Sequence, residues 1–358
     1  MYYSPVNDSA TKVSLYEAIR NGVSSDGQLY LPQKFPVLPS AFFHNIASMS
    51  LTDIAFVALN MLFGEDIPAE TLRDISRDAL DKIDIPFVRT GEKEFSLDLT
   101  KGPTGSYHDF SARILAEYLK TITPDNRINI IVISNSNAAN ATADAFASLP
   151  GATVYALYPR GILSYERRGQ LLLRDNVIPV EVDGSYSDCR RITLETILNK
   201  DVAEKTLTMT ANSENLAVLL PRIIYFFYAY ARLALMEIPL DNVVIEFETE
   251  HLGNLTAAVI AEKMGMPRCR LYARFSNNST QGDNKVIMPR MVQLLNDTLT
   301  VESLMESAKI PPRPEETVIR LITQAPPEPQ AVPRDRTKRI IHIGTSSAPI
   351  VRHILKDC

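Results

Sequence analysis

The residues of this chain best suited to chemistry sit in polar turns between apolar runs. The first such turn is Lys101-Gly102-Pro103-Thr104-Gly105-Ser106-Tyr107-His108-Asp109-Phe110. A strand-like run, Phe95 to Leu99, precedes it, and an amphipathic run with Ile114, Leu115, Tyr118 and Leu119 on one face follows. The segment therefore reads as strand–turn–helix, with Gly102-Pro103 as the breaker. His108 and Asp109 fall at the helix entrance, where an imidazole beside a carboxylate suits acid–base transfer near neutral pH. The other turns are Ser134-Asn135-Ser136-Asn137, Ser213-Glu214-Asn215 and Glu250-His251-Leu252-Gly253-Asn254. Ser and Asn in the turn from 134 to 137 also suit a plain helix cap, with no chemistry attached.

The elements that must position these turns follow from periodicity. Ser14-Leu15-Tyr16-Glu17 has capping-box spacing and Gly22 stands where that short helix stops. Ser25-Asp26-Gly27 turns the chain into an extended segment ending at Pro32, and helices are expected over Leu51 to Phe63 and Pro68 to Leu80. From Ile128 the texture becomes alternating. Strands are expected at Ile128–Ile133, Thr153–Leu157, Val177–Val182, Leu207–Met209, Val243–Phe247 and Arg270–Phe275. Helices lie between them, the longest from Leu216 to Met236. Such alternation predicts a mostly parallel sheet covered on both faces. Prolines between 311 and 336 leave room for little beyond a short helix near Glu316 to Ile322, before a closing strand (Arg339 to Ile343) and helix (Ala348 to Leu355).

At 358 residues and 45% hydrophobic content the chain can bury a sizeable core. A net charge of −5, spread along the chain, gives no reason to expect nucleic acid or an anionic membrane as partner. Cys189, Cys269 and Cys358 are odd in number and far apart, so they read as reduced thiols, with no disulfide framework and no metal. No apolar run approaches the length of a membrane span and no secretory leader is visible, so the cytoplasm is the expected location.

The first turn resembles the Gly-Pro-Thr-x-x-Phe-Lys-Asp signature of threonine synthases: Gly102, Pro103, Thr104, Asp109 and Arg113 match, with His108 at the lysine position. The resemblance extends over nearly the whole chain. It implies an α/β protein with a threonine-synthase-like N-terminal helical domain (1–94). A two-lobed fold-type II, tryptophan-synthase-β-like, parallel-sheet core (95–358) follows, contracted near the C-terminus. The inner lobe would span about 110–210, and the outer lobe 95–109 with 211–358.

In that family the lysine forms a Schiff base with pyridoxal phosphate, which an imidazole, having no primary amine, cannot do. The family's Gly-containing turn around the cofactor ring reads Ser134 to Ala141 here, with Ser136 and Ala139 at its glycine positions. Its Ser-Ile-Asn-x-x-Arg motif, whose Arg serves the substrate phosphate, keeps Ser213 and Asn215 but has Glu214 and Val218 at the Ile and Arg positions. Its Gly-Asn-Phe-Gly-Asn phosphate turn keeps Gly253 and Asn254, with Glu250 at the first glycine, where a carboxylate opposes an anion. The residual cofactor pocket is thus Thr104, Ser134, Asn135, Gly253 and Asn254. The residual substrate site is Ser213 and Asn215, with His108 and Asp109 at the catalytic position.

Three functions follow as expectations. The first is a catalytically inactive binding or regulatory protein without a cofactor, associating with itself or with an active family member. The second is a threonine synthase converting O-phosphohomoserine with pyridoxal phosphate. The third is an enzyme that uses His108 as acid or base without that cofactor.

Overall fold

Strands of both central sheets end in loops that face one opening, an arrangement that follows from a parallel α/β chain. The computed structural model describes residues 1–122, 127–134, 137–238, 242–249, 252–275, 295, 300–323 and 339–356. At the N-terminus β1 (Tyr3–Pro5) and β2 (Tyr30–Pro32) pair antiparallel around the helix Leu15–Asn21. That helix has the expected capping box: Glu17 N–H donates to Ser14 Oγ at 3.2 Å, and Ser14 N–H donates to Glu17 Oε2 at 2.9 Å. Gly22 closes it at φ +68°, in the left-handed region that favours glycine. The helices Leu51–Phe63 and Ala69–Leu80 form as the periodicity indicates, with Ser50 and Pro68 at their N-caps.

The remaining strands are β3 (Phe87–Arg89), β4 (Glu94–Asp98), β5 (Ile128–Ile133), β6 (Ala152–Pro159), β7 (Val177–Val182), β8 (Leu207–Thr210), β9 (Val243–Thr249), β10 (Arg270–Phe275), β11 (Thr317–Ile322) and β12 (Ile341–Ile343). They form two five-stranded sheets, in the orders β12-β7-β6-β5-β8 and β10-β9-β11-β4-β3. All pairings are parallel except that of β3 with β4. β5 is buried along its whole length, as a strand covered on both faces must be. Ile131, Tyr155, Val180 and Cys189 belong to a smaller core on one face of its sheet. Burial pushes the Cys189 thiol up to about 12, so it behaves as an inert apolar group.

The structure corrects the sequence reading in three places. The segment Glu316 to Ile322, expected as a short helix, is β11, inserted between β9 and β4. Val318, Ile319 and Leu321 are buried there, and a run of this length cannot be told from a helix by periodicity alone. β12, expected in the outer lobe, pairs with β7 in the inner sheet, Ile341 opposite Val180. Finally, the helical run Leu216–Leu235 is long and apolar enough to cross a bilayer, which the sequence reading missed. However, 83% of that window is packed inside the protein, where Tyr225, Phe226 and Phe227 are fully buried. Each of those rings contributes about 1.5–3 kcal/mol by leaving water.

Glu262, near the end of the helix Gly253–Lys263, makes a measurable demand on stability. Burial pushes its carboxyl up from 4.5 to about 7, and Arg268, 3.9 Å away, pulls it the other way. The folded state therefore holds a proton that the unfolded chain releases, so stability falls as pH rises from about 4.5 to about 7 and levels off above. Glu262→Gln is expected to remove about 1–3 kcal/mol of this slope. Urea midpoints of the two proteins should then differ more at pH 8 than at pH 5, and parallel profiles would refute the assignment.

Candidate functional site

A cavity of about 380 Å³ lies at the carboxyl ends of the strands of both sheets, where open parallel sheets place their ligands. Its walls come from the turns after β4, β5, β6, β7, β8 and β9, so the fold brings all the polar turns singled out above to one place. His108 and Tyr107 come from the first turn, Ser134 and Ala138 from the second, Asn212 and Ser213 from the third, and Thr249, Gly253 and Asn254 from the fourth. Arg160, Ser185 and Tyr186 complete the rim on the side of the inner sheet.

The first turn is held by Asp109, which is 1% exposed and does not line the cavity. Its carboxylate accepts the Thr104 N–H at 3.0 Å and the Thr104 hydroxyl at 2.7 Å. A Cβ at Gly102 would lie 2.5 Å from Asp109 Oδ2, which is why the turn needs glycine at that position. Burial pushes the Asp109 carboxyl above its ordinary range, against the downward pull of the Thr104 bonds. Thr104 and Asp109, expected at the cofactor and catalytic positions, thus lock the turn that presents His108. Arg113, the other matching residue, ties helices together by donating to Ala79 O at 2.8 Å.

The remaining expectations divide the same way. Ser134 lines the cavity and its hydroxyl accepts the Ala139 N–H at 3.2 Å, so the turn caps the following helix. Asn135 lies outside the described residues, as does Ser136. Ser213 lines the cavity, but Asn215 does not: it is fully buried, donates to Ile19 O at 2.8 Å and Thr210 O at 3.1 Å, and caps the helix Leu216–Leu219. Asn215 therefore joins the N-terminal helix to the end of β8. Val218 is buried in the main core and does not line the cavity. Glu214 does not line it either. Arg190 lies 3.5 Å away and compensates its charge. Glu250 and His251 lie outside the described residues.

Gly253 and Asn254 are both at the cavity, at the head of the helix Gly253–Lys263. Asn254 Oδ1 accepts the Tyr225 hydroxyl at 2.7 Å and its Nδ2 donates to Glu248 O at 3.0 Å, so the amide is fixed on both sides. Between this helix and Tyr107 lies Arg222, which the motifs did not indicate. It is 5% exposed, its guanidinium is 5.3 Å from the Tyr107 ring centroid, and Nη1 is 3.4 Å from Asn254 Oδ1. A signal was present in the sequence: Arg222 and Arg232 are the only charged residues in the apolar run from Leu216 to Leu235. Asn212 was also missed. Its side chain accepts Ile133 N–H and donates to Ile133 O, both at 2.8 Å, extending the β5–β8 pairing to the cavity floor.

Covalent attachment of pyridoxal phosphate needs a primary amine. Among the described residues no lysine lines the cavity. Lys101, the nearest in sequence, is 56% exposed and pairs with Asp98 at 3.3 Å. The described lining residues offer no primary amine for a Schiff-base-linked cofactor.

Residues 1–80 match the family model described as "Threonine synthase N terminus". Curated relatives include threonine synthases of Haemophilus influenzae, 27% identical over 270 residues, and Escherichia coli, 26% identical over 276 residues. These alignments cover 75% and 77% of this chain and 62% and 64% of the relatives, so the chain spans less than two thirds of their length. The crystal structure of the Escherichia coli enzyme superposes with a TM-score of 0.84 at 21% identity, covering all of both chains. The pyridoxal-phosphate-bound threonine synthase from Brucella melitensis superposes at 0.73 and 18% identity, covering 99% of this chain and 98% of that one. The N-terminal match and the curated relatives show that this chain is similar to threonine synthases, and the superpositions show that it shares their fold-type II architecture.

Proposed function

We propose that this chain is a threonine synthase-like protein that binds a small molecule in the interlobe cavity without catalysing threonine formation, and that it acts as a binding or regulatory component, alone or with an active family member, in the cytoplasm. The observation that carries this reading is His108 on the cavity wall, at the position of the family's Schiff-base lysine, with no lysine among the described lining residues. The scaffold around it is maintained. Gly102, Thr104 and Asp109 still build the turn, and Asn254 and Tyr225 still fix the head of the helix behind it. Retention of the frame without the reacting amine suits binding rather than turnover.

The test is direct. Purified protein incubated with pyridoxal phosphate is expected to show no imine absorbance band, and borohydride reduction is expected to leave no pyridoxyl-lysine in a tryptic digest. A trapped lysine in the cavity, accompanied by phosphate release from O-phosphohomoserine, would establish the enzymatic reading in its place.

A further inference from the structure

We infer that a polar notch beside the cavity, at the carboxyl ends of β6, β7 and β12, is a binding site for a free α-amino acid, held as its zwitterion. The notch is built from Tyr158, Glu181, Arg168, His342 and Arg160. Of these only Arg160 lines the cavity, so the inference stands apart from the reading of the cavity itself.

The sheet register assembles the notch. Glu181 on β7 stands opposite Tyr158 on β6 and His342 on β12. In parallel strands such neighbours point to one face, and the flanking Val180, Val182 and Ile343 point to the other, into the smaller core. The Glu181 side chain lies at the bottom, 10% exposed. Two guanidiniums and an imidazole surround its carboxylate: Arg160 Nε at 3.4 Å, His342 Nδ1 at 3.5 Å and Arg168 Nη1, from the helix Tyr165–Leu172, at 3.8 Å. A direct charge-assisted hydrogen bond is shorter, roughly 2.7–2.9 Å, so the carboxylate is compensated in charge without being gripped. Arg160, Arg168 and His342 are each more than a third exposed, so the notch opens to solvent between them.

Tyr158 supplies an independent observation. It is 1% exposed and its hydroxyl has no hydrogen-bond partner. Burial, with Glu181 nearby, pushes that hydroxyl up to about 12, so it stays a neutral donor. A buried donor without an acceptor is unfavourable, and a ligand that supplies the acceptor relieves it. Charge then selects the ligand. Arg160 and Arg168 balance Glu181 and Asp183, the last lying 3.3 Å from Arg160. A simple anion meets Glu181 and a simple cation meets the guanidiniums, so neither gains from the whole notch. An α-amino acid carries both charges a few ångströms apart. Its ammonium donates to Glu181, while its carboxylate accepts from the guanidiniums and from the Tyr158 hydroxyl.

The experiment is calorimetric titration of the full chain with glycine, the smallest such zwitterion, beside ethanolamine, which lacks the carboxylate, and N-acetylglycine, which lacks the ammonium. Glycine is expected to bind at least roughly tenfold more tightly than either. Glu181→Gln should weaken glycine binding roughly tenfold to a hundredfold, and Tyr158→Phe roughly threefold to tenfold. Without ligand, Tyr158→Phe should melt no lower than the parent, because it removes a hydroxyl that has no partner, so its loss of binding is not a loss of fold. No binding of glycine at millimolar concentration, binding of ethanolamine or N-acetylglycine as tight as that of glycine, or parental affinity in both variants would overturn the assignment. The last outcome would place the bound glycine elsewhere, since neither substituted side chain lines the cavity.

Discussion

His108→Lys is expected to install an amine in the cavity yet release no measurable phosphate from O-phosphohomoserine. The side chain at 108 reaches the cavity wall, held by the turn that Asp109 and Thr104 lock, so a lysine there can meet an aldehyde. A borohydride-reducible imine, weak at best, is the most that this change supplies. Turnover also needs the substrate's phosphate held, and the position from which the family supplies that arginine is Val218, buried away from the cavity. Loss of one charge-assisted contact removes about 1.5–3 kcal/mol, roughly tenfold to a hundredfold in rate, before any other deficit is counted. Phosphate release in the single variant at the rate of a working threonine synthase would end the non-catalytic reading.

Val218→Arg is expected to damage the fold rather than rebuild a substrate site. Val218 is 4% exposed and belongs to the main core. An unpaired guanidinium there costs about 3–5 kcal/mol, against a total stability of about 5–15 kcal/mol for a typical chain. The melting temperature should fall on the order of 5–10 °C, with soluble yield falling in parallel. The combined variant His108→Lys, Glu250→Gly, Val218→Arg, which the motif comparison suggests as a route back to cofactor binding, inherits this penalty. A soluble Val218→Arg protein melting like the parent would mean that the new side chain reaches the cavity beside Arg222, one turn along the same face. The core assignment of Val218 would then be wrong.

Much of the fold was legible because its signals are local. The capping box at Ser14, the proline at the head of Ala69–Leu80 and the strand Ile128–Ile133, apolar but for Asn129, each specify an element from neighbouring residues alone. β11 was not legible. A six-residue run burying Val318, Ile319 and Leu321 satisfies a helix or a central strand equally, and only the gap between β9 and β4 selects the strand. Its partners lie far away in sequence, so no window of residues contains the information.

The candidate site divides along the same line. The sequence by itself determined which turns carry polar groups, that position 108 has no primary amine, and that a glycine and an asparagine stand at 253 and 254 before an apolar helix. These are properties of residue type and spacing. Only the tertiary structure decided where each side chain is used. It assigned Thr104, Asp109 and Asn215 to holding the frame, paired Glu214 with Arg190, buried Val218 in the core, and brought Arg222 against Gly253. The physical reason is that a charge or hydrogen-bonding group takes its role from what lies within a few ångströms of it, and here those neighbours come from strands and helices distant in the chain.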